Sequence, residues 1–167
     1  MRAFPTDRGG VVGLACVLLA LLSLNGCGPS EQQALADARQ ELADAAYAEA
    51  VAVAESGLRV ASDARTSWGL ELVKLEALAR VGNAEETLEQ LARLSRLHPD
   101  RVPPTQYSAT ASQLRSAGQG PAAIEALDMG IKRYPSDAAL AQLITSAGSS
   151  DVDPAELEML KSLGYID

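Results

Sequence analysis

Few side chains in this sequence have the chemistry of a catalyst. The chain has one histidine, His98, which stands before Pro99 at the end of a predicted helix, and two cysteines, Cys16 and Cys27. It contains no zinc-ligand set, phosphate-binding loop or nucleophile elbow. A histidine at a helix end complements the helix dipole, so His98 is expected to have a terminal, structural role. We therefore expect no catalytic residue, no metal and no cofactor.

The N-terminal residues have the pattern of an export signal. Arg2 and Arg8 precede an uncharged apolar run at residues 11–24. As a helix this run would span about 21 Å at ~1.5 Å per residue, which is short of the ~30 Å hydrocarbon core of a bilayer. The pattern predicts a signal peptide over residues 1–26 and not a membrane-spanning anchor.

The end of this segment resembles the bacterial lipobox. In Leu24-Asn25-Gly26-Cys27 a large apolar residue stands three positions before a cysteine, with Asn25 where a small residue is usual. The resemblance implies that the Cys27 thiol is alkylated with diacylglycerol, that the chain is cut before Cys27 and that the new amino terminus is acylated. Gly28 follows the cysteine, which by resemblance to enterobacterial sorting implies the outer membrane, facing the periplasm.

Lipidation would leave the mature chain without a free thiol. Cys16 leaves with the signal peptide and Cys27 carries lipid, so no cysteine remains for a disulfide, a metal or nucleophilic catalysis. Only residues 27–29 form the tether, because Ser30 begins a capping box that starts a helix. At ~3.5 Å per residue that helix begins roughly 10 Å from the anchor, so we expect the fold to sit against the bilayer surface.

The composition favours an all-α fold and disfavours nucleic acid as a partner. Residues are 47% hydrophobic but only 4% aromatic, and alanine and leucine, which favour helices, are abundant. At 167 residues the chain is long enough for one domain with its own core. The formal net charge of −8 repels a nucleic-acid backbone and an anionic bilayer.

A helical pattern repeats along the chain. The segment from Gly82 to Pro99 has a glycine turn, an asparagine cap, an amphipathic helix and a closing proline, and the pattern returns 36 residues later from Gly118 to Pro135. A pair of helices cannot cover its apolar face alone, so stacked pairs are expected to supply the core. The predicted elements are three pairs of helices and one capping helix, over residues 31–62, 63–99, 100–135 and 137–146.

Caps and an apolar stripe are predicted within these elements. The Pro103-Pro104 pair is expected to prevent helix before Thr105, which would cap the fifth helix. Ser136 is expected to cap the seventh. The predicted core consists of apolar residues at helical spacing, among them Leu35, Ala38, Val51, Ala54, Leu58, Trp68, Leu75, Leu78, Leu88, Leu91, Leu94, Tyr107, Ala111, Leu114, Ile124, Leu127, Ile131, Leu140, Leu143 and Ile144.

The repeats resemble the tetratricopeptide repeat (TPR) family, whose unit is a helix-turn-helix of about 34 residues. The third unit matches best, with Tyr107 in the aromatic slot and Pro135 at its end. The small residues that carry the resemblance in the first and third units are Ala38, Ala50, Gly57, Ala111, Ala123 and Gly130. The second unit departs from the pattern at Glu71, Leu75, Thr87 and Leu94. The resemblance implies a short right-handed α-solenoid over residues 30–147; the rival interpretation is an unrelated antiparallel helical bundle.

Members of that family bind a peptide or helix in a concave groove lined by the first helix of each pair. Carried onto this sequence, the groove residues are Arg39, Leu42, Leu72, Glu76, Arg80, Ser108, Ser112 and Arg115. Three arginines there indicate a site for a carboxylate or an acidic segment, since arginine binds carboxylates through two parallel hydrogen bonds. The plain alternative is a stabilising pair within one helix, as Glu76 and Arg80 can form at i,i+4 spacing.

The residues after the repeats form a separate predicted segment, 148–167. Asp153, Pro154 and Glu156 are the cap, first-turn proline and N3 acid of a short helix, which Gly164 ends. Two interpretations stay open. The helix folds back on the repeats as a cap, or it is a docking peptide for another protein.

The sequence thus predicts a TPR lipoprotein, not an enzyme, that is bound to the membrane through lipid on Cys27. Its concave surface would hold another envelope protein or peptide, in secretion, pilus or outer-membrane assembly, and nucleic acid is not an expected partner. One alternative is an envelope enzyme or accessory subunit acting on glycans, with carboxylates that converge from distant positions. Another is a structural spacer, whose groove would be lined by alanine and serine without clustered charge.

Overall fold

The structure is a computed structural model that describes residues 30–148 and 153–167. In these two ranges the chain forms eight helices and no strand, which confirms the all-α prediction for the described part. The helices are α1 (Glu31–Ala43), α2 (Tyr47–Val60), α3 (Ala64–Val81), α4 (Ala84–Leu97), α5 (Pro104–Ser116), α6 (Gly120–Arg133), α7 (Ala138–Ala147) and α8 (Pro154–Ser162). The predicted signal peptide, Cys27 and the tether lie outside the described residues.

Residues Glu31–Asp167 form one compact unit. Each odd-numbered helix contacts the next, from α1 to α3, from α3 to α5 and from α5 to α7. Helix α2 packs against α1 and α3, helix α4 against α3 and α6, and helix α6 against α5, α7 and α8. The first helices of the predicted pairs therefore lie side by side in chain order.

Polar caps begin the third and fourth helices where the sequence predicts them. The Asp63 carboxylate accepts the Thr66 N–H at 2.7 Å, and the Asn83 side chain accepts the Glu86 N–H at 3.4 Å. Each bond satisfies a backbone donor that the helix leaves free. Gly82 ends α3 at a φ of 81°, a left-handed conformation in which a Cβ atom would be strained.

Two predicted caps are wrong, that of α5 by two residues and that of α7 by one. Helix α5 begins at Pro104 with Pro103 at its N-cap, so Thr105 lies inside the first turn. Proline suits the first helical position, because the N–H that it lacks would have no partner there. Helix α7 is capped by Asp137 and not by Ser136. The Asp137 carboxylate accepts a backbone N–H three residues on at 2.9 Å, and its charge complements the helix N-terminus.

Small residues let the helices of the first and third pairs approach closely. A Cβ atom added to Gly57 would lie 2.9 Å from the Cβ of Ala34. One added to Gly130 would lie 2.8 Å from the Cβ of Tyr107. The other small residues of these pairs are buried, namely Ala38, Ala50, Ala111 and Ala123. Side chains of this size bring the two backbones of each pair together.

The two helices of the middle pair, α3 and α4, pack less closely. Helices α3 and α4 contact each other less extensively than α1 with α2 or α5 with α6. Larger side chains hold helix backbones at a greater separation, which accounts for the sparser contact. Glu71, in the slot of an aromatic residue, pairs instead with Arg93 and accepts the Gln90 side-chain amide at 2.5 Å. The larger residues buried in this pair are Leu75, Thr87 and Leu94.

Buried apolar residues form two clusters. The smaller consists of Ala38, Ala54, Leu70 and Val73. The larger extends from α3 to α8 and includes Leu75, Leu91, Leu94, Tyr107, Leu114, Ile124, Leu127, Leu140, Ile144 and Leu160. One predicted core residue is wrong, because Leu143 is 42% exposed. It lies at the edge of the stripe that Leu140, Ile144 and Ala147 form on α7.

Two tyrosines anchor the loop between α4 and α5. The Tyr107 hydroxyl lies 2.6 Å from Ser95 Oγ. Because the Ser95 hydroxyl already donates to the Leu91 carbonyl at 2.7 Å, Tyr107 is the donor of this bond. The Tyr134 hydroxyl donates to the Val102 carbonyl at 2.5 Å. These bonds fix the loop and the first turn of α5 against α4 and the end of α6.

The single tryptophan packs against the end of α4. The guanidinium carbon of Arg101 lies 4.3 Å from the centroid of the Trp68 ring, a cation–π contact. His98 meets the same ring edge-on at 5.3 Å. His98 is the exposed C-cap of α4, as its position before Pro99 predicts. This cluster joins the α4–α5 loop to α3.

Candidate functional site

The predicted groove residues lie on α1, α3 and α5, the odd-numbered helices that contact one another in turn. Four of the eight line two clefts that share Ser112 and Ser116. We call the first the α3–α5 cleft, of about 360 Å³, lined by Tyr47, Arg80, Ser112, Gln113, Ser116 and Ala117. The second is the α5–α7 cleft, of about 250 Å³, lined by Ser108, Ala111, Ser112, Arg115, Ser116, Ala123, Leu127, Leu143 and Ser146.

Arg80, which Glu76 holds in position, forms one wall of the α3–α5 cleft. Glu76 Oε1 accepts hydrogen bonds from Arg80 Nε at 2.9 Å and pairs with Arg80 Nη2 at 2.8 Å. The Arg80 guanidinium carbon lies 5.7 Å from the centroid of the Tyr47 ring. Hydrogen bonds to Tyr47, first, and to Glu76 raise the pKa of Arg80 above its ordinary value. Arg80 therefore stays cationic in a fixed position, and 41% of its side chain is exposed.

The opposite wall of this cleft offers polar groups from α5. The side-chain oxygen of Gln113 is buried and has no hydrogen-bond partner among the described residues. The Ser116 hydroxyl donates to the Ser112 carbonyl at 2.9 Å. A buried oxygen without a donor is rare, because leaving it unpaired costs free energy. Ser112 and Ser116 are the exposed polar residues of this wall, whereas the Gln113 oxygen is closed to solvent.

The α5–α7 cleft is more apolar. Leu127 of α6 and Leu143 of α7 face it, together with Arg115 of α5. Sequence periodicity assigned Leu143 to the core because it stands three residues after Leu140. Its position at the edge of the buried stripe instead leaves it in the cleft. An exposed leucine beside an arginine is suited to an amphipathic partner segment.

Arg115 already has a carboxylate partner within the chain. Its Nε lies 3.3 Å from Glu156 Oε1 and its Nη2 lies 3.1 Å from Glu156 Oε2, a two-point ion pair. The Glu156 side chain is only 13% exposed, whereas that of Arg115 is 45% exposed. Sequence reasoning placed Glu156 in the first turn of its own helix. Asp153 caps that helix, accepting the Ala155 N–H at 2.8 Å, and Glu156 reaches across to α5.

The other predicted groove residues are not brought into these clefts. Arg39 is exposed and forms no ion pair with a described residue. Leu42 is half-buried against the smaller core cluster, and Leu72 is half-buried on α3. Glu76 is the partner of Arg80, as the i,i+4 alternative predicts. Two of the three predicted arginines are therefore paired within the protein.

A third cleft, of about 180 Å³, lies between α3 and α4 and is lined by Lys74, Leu78, Glu86, Glu89, Gln90 and Arg93. Its cations are engaged, Lys74 by Glu55 at 2.6 Å and Arg93 by Glu71. Within the described ranges no group of three or more histidine, cysteine, aspartate or glutamate side chains is placed to hold a metal. Acidic and basic side chains offset one another across this cleft.

Sequence patterns did not point to several of these contacts. Tyr47 and Gln113 lie beside Arg80, yet they come from different predicted pairs.

None of the helices in the described part of the chain has the length and hydrophobicity needed to span a bilayer. Comparison of the chain with protein-family models, curated proteins and solved structures found no match.

Proposed function

We propose that this chain is a lipid-anchored adaptor of the bacterial envelope whose α3–α5 cleft binds an acidic segment of another envelope protein. One observation carries the proposal: a fixed, partly exposed Arg80 faces the exposed residues Ser112 and Ser116 across one cleft. A carboxylate is complementary to the guanidinium, and serine hydroxyls can hydrogen-bond the backbone of the same segment.

The architecture that we propose around this cleft is a short right-handed α-solenoid of TPR type. Three features support it. The first helices of successive pairs lie side by side. The small residues that the TPR resemblance picks out are buried where paired helices meet, with no room for a Cβ at Gly57 and Gly130. The pair that departs from the pattern is also the one with the sparser contact.

The proposed location follows from the N-terminal sequence. An export signal over residues 1–26 and a lipobox ending at Cys27 support lipidation and retention at a membrane, with the outer membrane facing the periplasm as the proposed site. Two or three acyl chains suffice for a firm anchor, so no protein surface has to be given over to lipid. The clefts on α3, α5 and α7 would then be free for a protein partner in secretion, pilus or outer-membrane assembly.

Photocrosslinking in the native bacterium tests this function. A photoreactive amino acid is placed at Ser112, which lines the α3–α5 cleft, or at Glu125, an exposed position on α6. We expect a specific crosslinked protein from position 112 and none from position 125. Arg80→Glu should remove the crosslink because it places a negative charge where the partner's carboxylate binds. Arg96→Glu, at an exposed residue of α4, is the matched control and should leave it.

Two outcomes would overturn the proposal. Equal crosslinking from positions 112 and 125 would show that the cleft does not select the partner. A crosslink from position 112 that survives Arg80→Glu would show that the arginine does not recognise it.

A further inference from the structure

Apolar packing, an ion pair and a hydrogen bond hold the C-terminal residues on the rest of the fold. Met159, Leu163, Tyr165 and Ile166 pack, partly buried, against the larger core cluster. Leu160 is fully buried, Glu156 pairs with Arg115 through both carboxylate oxygens, and the Tyr165 hydroxyl donates to Asp128 Oδ1 at 3.0 Å. Of the nine residues of α8, Leu160 alone is buried. A helix of this length is not stable by itself in water, so α8 depends on these contacts for its order.

The surface of α5 and α6 beneath α8, which we call the α6 site, carries groups that complement those of the C-terminal residues. Arg115 supplies a cation, and Asp128, only 4% exposed, supplies an acceptor that Lys132 also holds at 2.7 Å. Gly120 leaves the space in which the Glu156 carboxylate lies, since a Cβ there would be 2.1 Å from Oε1. Because α5 and α6 pack on each other extensively, this site does not need α8 to hold its shape.

We propose that this α6 site is a second binding surface, which α8 covers in the free protein and which a partner segment of the same chemistry takes by displacing α8. The partner segment carries a short helix with a carboxylate for Arg115 and a leucine four residues later. After a left-handed glycine turn like that at Gly164, it carries a tyrosine for Asp128, five residues beyond the leucine. The site shares no lining residue with the α3–α5 cleft, so it stands independently of the function proposed above.

Displacement requires an incoming segment that replaces both the apolar and the polar contacts of α8. Met159 and Leu163, and Ile166 beyond the helix, pack against the larger core cluster, so the incoming segment must cover the same apolar surface. The ion pair and the tyrosine hydrogen bond are both at least partly open to solvent, where water and competing side chains can replace them. An incoming segment with the same groups restores each of these contacts when it replaces α8. The α8 sequence is then released. The exchange therefore strands no buried charge on α6.

A competition experiment tests the proposal with the purified, detergent-solubilised full chain. The probe is a fluorescent synthetic peptide of residues 153–167, and binding is followed by fluorescence anisotropy. The double variant Glu156→Gln, Tyr165→Phe loosens the internal helix. We expect this variant to bind the peptide at least tenfold more tightly than the wild type, because the wild-type site is already covered.

Two controls assign the binding to this site. Arg115→Glu added to the double variant should abolish peptide binding, whereas Arg80→Glu should leave it unchanged, which separates this site from the α3–α5 cleft. A probe peptide with Glu156→Gln should bind more weakly, and this change does not touch the fold of the protein. Circular dichroism checks that each protein variant keeps its helical content.

Three results would overturn the proposal. The first is an equal Kd for the wild type and the double variant. The second is no binding to either protein at peptide concentrations up to the millimolar range. The third is concentration-dependent dimerisation of the wild type that the peptide inhibits, which would make the occupant a second copy of this chain.

Discussion

Single glycines set the distance between paired helices in this protein. Gly57 and Gly130 leave no room for a methyl group against the neighbouring helix. The TPR resemblance identified both positions from the sequence, because small residues recur there at fixed spacing. The predicted caps of α5 and α7 are wrong by two residues and by one residue. Ser136 and Asp137 are both good cap residues, and backbone conformation, which the sequence does not specify, decides between them.

Gly130→Ala should destabilise the protein although alanine favours helices. The new Cβ would lie 2.8 Å from the Cβ of Tyr107, an atom too close to its backbone to move aside. Overpacking costs roughly 1–3 kcal/mol and helix propensity returns about 1 kcal/mol, so we expect a net loss of about 1 kcal/mol in the free energy of unfolding. Urea denaturation followed by circular dichroism measures it.

Gly69→Ala is the matched control for that change. Gly69 also lies inside a helix, but the nearest atoms are the δ-carbons of Leu35, at 2.9 and 3.0 Å, which can rotate away. Its stability should stay the same or rise. Equal destabilisation by the two substitutions would show that the close approach of Gly130 to Tyr107 is not the cause of the loss.

Acid should weaken the contact between α1 and the α2–α3 turn, because it protonates the Glu31 carboxylate. The Ser62 N–H, at 2.5 Å, and the Asp63 N–H, at 3.1 Å, donate to its carboxylate and hold the pKa of Glu31 below its ordinary value of 4.5. A lowered pKa in the folded state stabilises above the ordinary value and loses that stabilisation as pH falls through the folded value. The free energy of unfolding should therefore decline below pH 4.5 more steeply in the wild type than in Glu31→Gln.

The control is Glu85→Gln, at an exposed residue that accepts no hydrogen bond from a described residue. Denaturant unfolding at several pH values between 3 and 6 gives the comparison, a range that spans the ordinary pKa of a carboxyl at roughly 4.3. The same dependence on pH in the wild type and Glu31→Gln would contradict the proposed role of the backbone hydrogen bonds.

At the level of elements, the sequence predicts the succession of helices but not all their partners. Periodicity specifies which face of a helix is apolar, so the core of α4, α5 and α6 was identified correctly. It carries no information on contacts between distant residues. Arg115 and Glu156, 41 residues apart, are therefore a pair that only the tertiary fold reveals. The sparser α3–α4 contact, in contrast, follows from large residues at slots usually occupied by small ones.

The docked C-terminal segment should be visible in the titration of one tyrosine. Burial, first, and the hydrogen bond to Asp128 raise the pKa of Tyr165 from 10.0 to about 12. A raised pKa in the folded state gives a stabilisation that is complete below pH 10.0 and is lost as pH rises through about 12. Ultraviolet absorbance of tyrosinate should show a late-titrating residue that Tyr165→Phe removes.

Asp128→Asn provides the comparison for that titration. It keeps a hydrogen-bond acceptor but removes the negative charge that opposes ionisation of Tyr165, so the late titration should move towards pH 10.0. The stability difference between the wild type and Tyr165→Phe should be constant below pH 10.0 and shrink above it. A tyrosine at this position that titrates with the others would show that the segment is not docked in solution.

At the level of the whole molecule, we propose that the helical domain is joined to a lipid anchor. Only the N-terminal sequence supports this anchor, and Cys27 is the proposed site of lipidation. Metabolic labelling with an alkyne fatty acid should mark the wild-type protein, and Cys27→Ala should abolish the label and release the protein from the membrane fraction. Cys16→Ser is the control and should keep the label, because Cys16 leaves with the signal peptide. Labelling of Cys27→Ala would contradict the lipobox assignment.

The net charge of −8 bears on the proposed binding of an acidic segment. A surface of this net charge repels such a segment, so we expect recognition to depend on the few cations at the clefts. Both arginines stay partly exposed beside their carboxylate partners, the Arg80 side chain at 41% and the Arg115 side chain at 45%. We expect the α3–α5 cleft to be open in the free protein and the α6 site to be occupied.

A charge swap at Arg80 tests the central claim most directly. Once mass spectrometry has located the partner carboxylate crosslinked near position 112, the Kd is measured for wild type and Arg80→Glu, each with the wild-type partner and with that carboxylate changed to arginine. The account predicts that each single change weakens binding at least tenfold, about 1.4 kcal/mol, and that the two changes together restore it. Additive losses without restoration would contradict it.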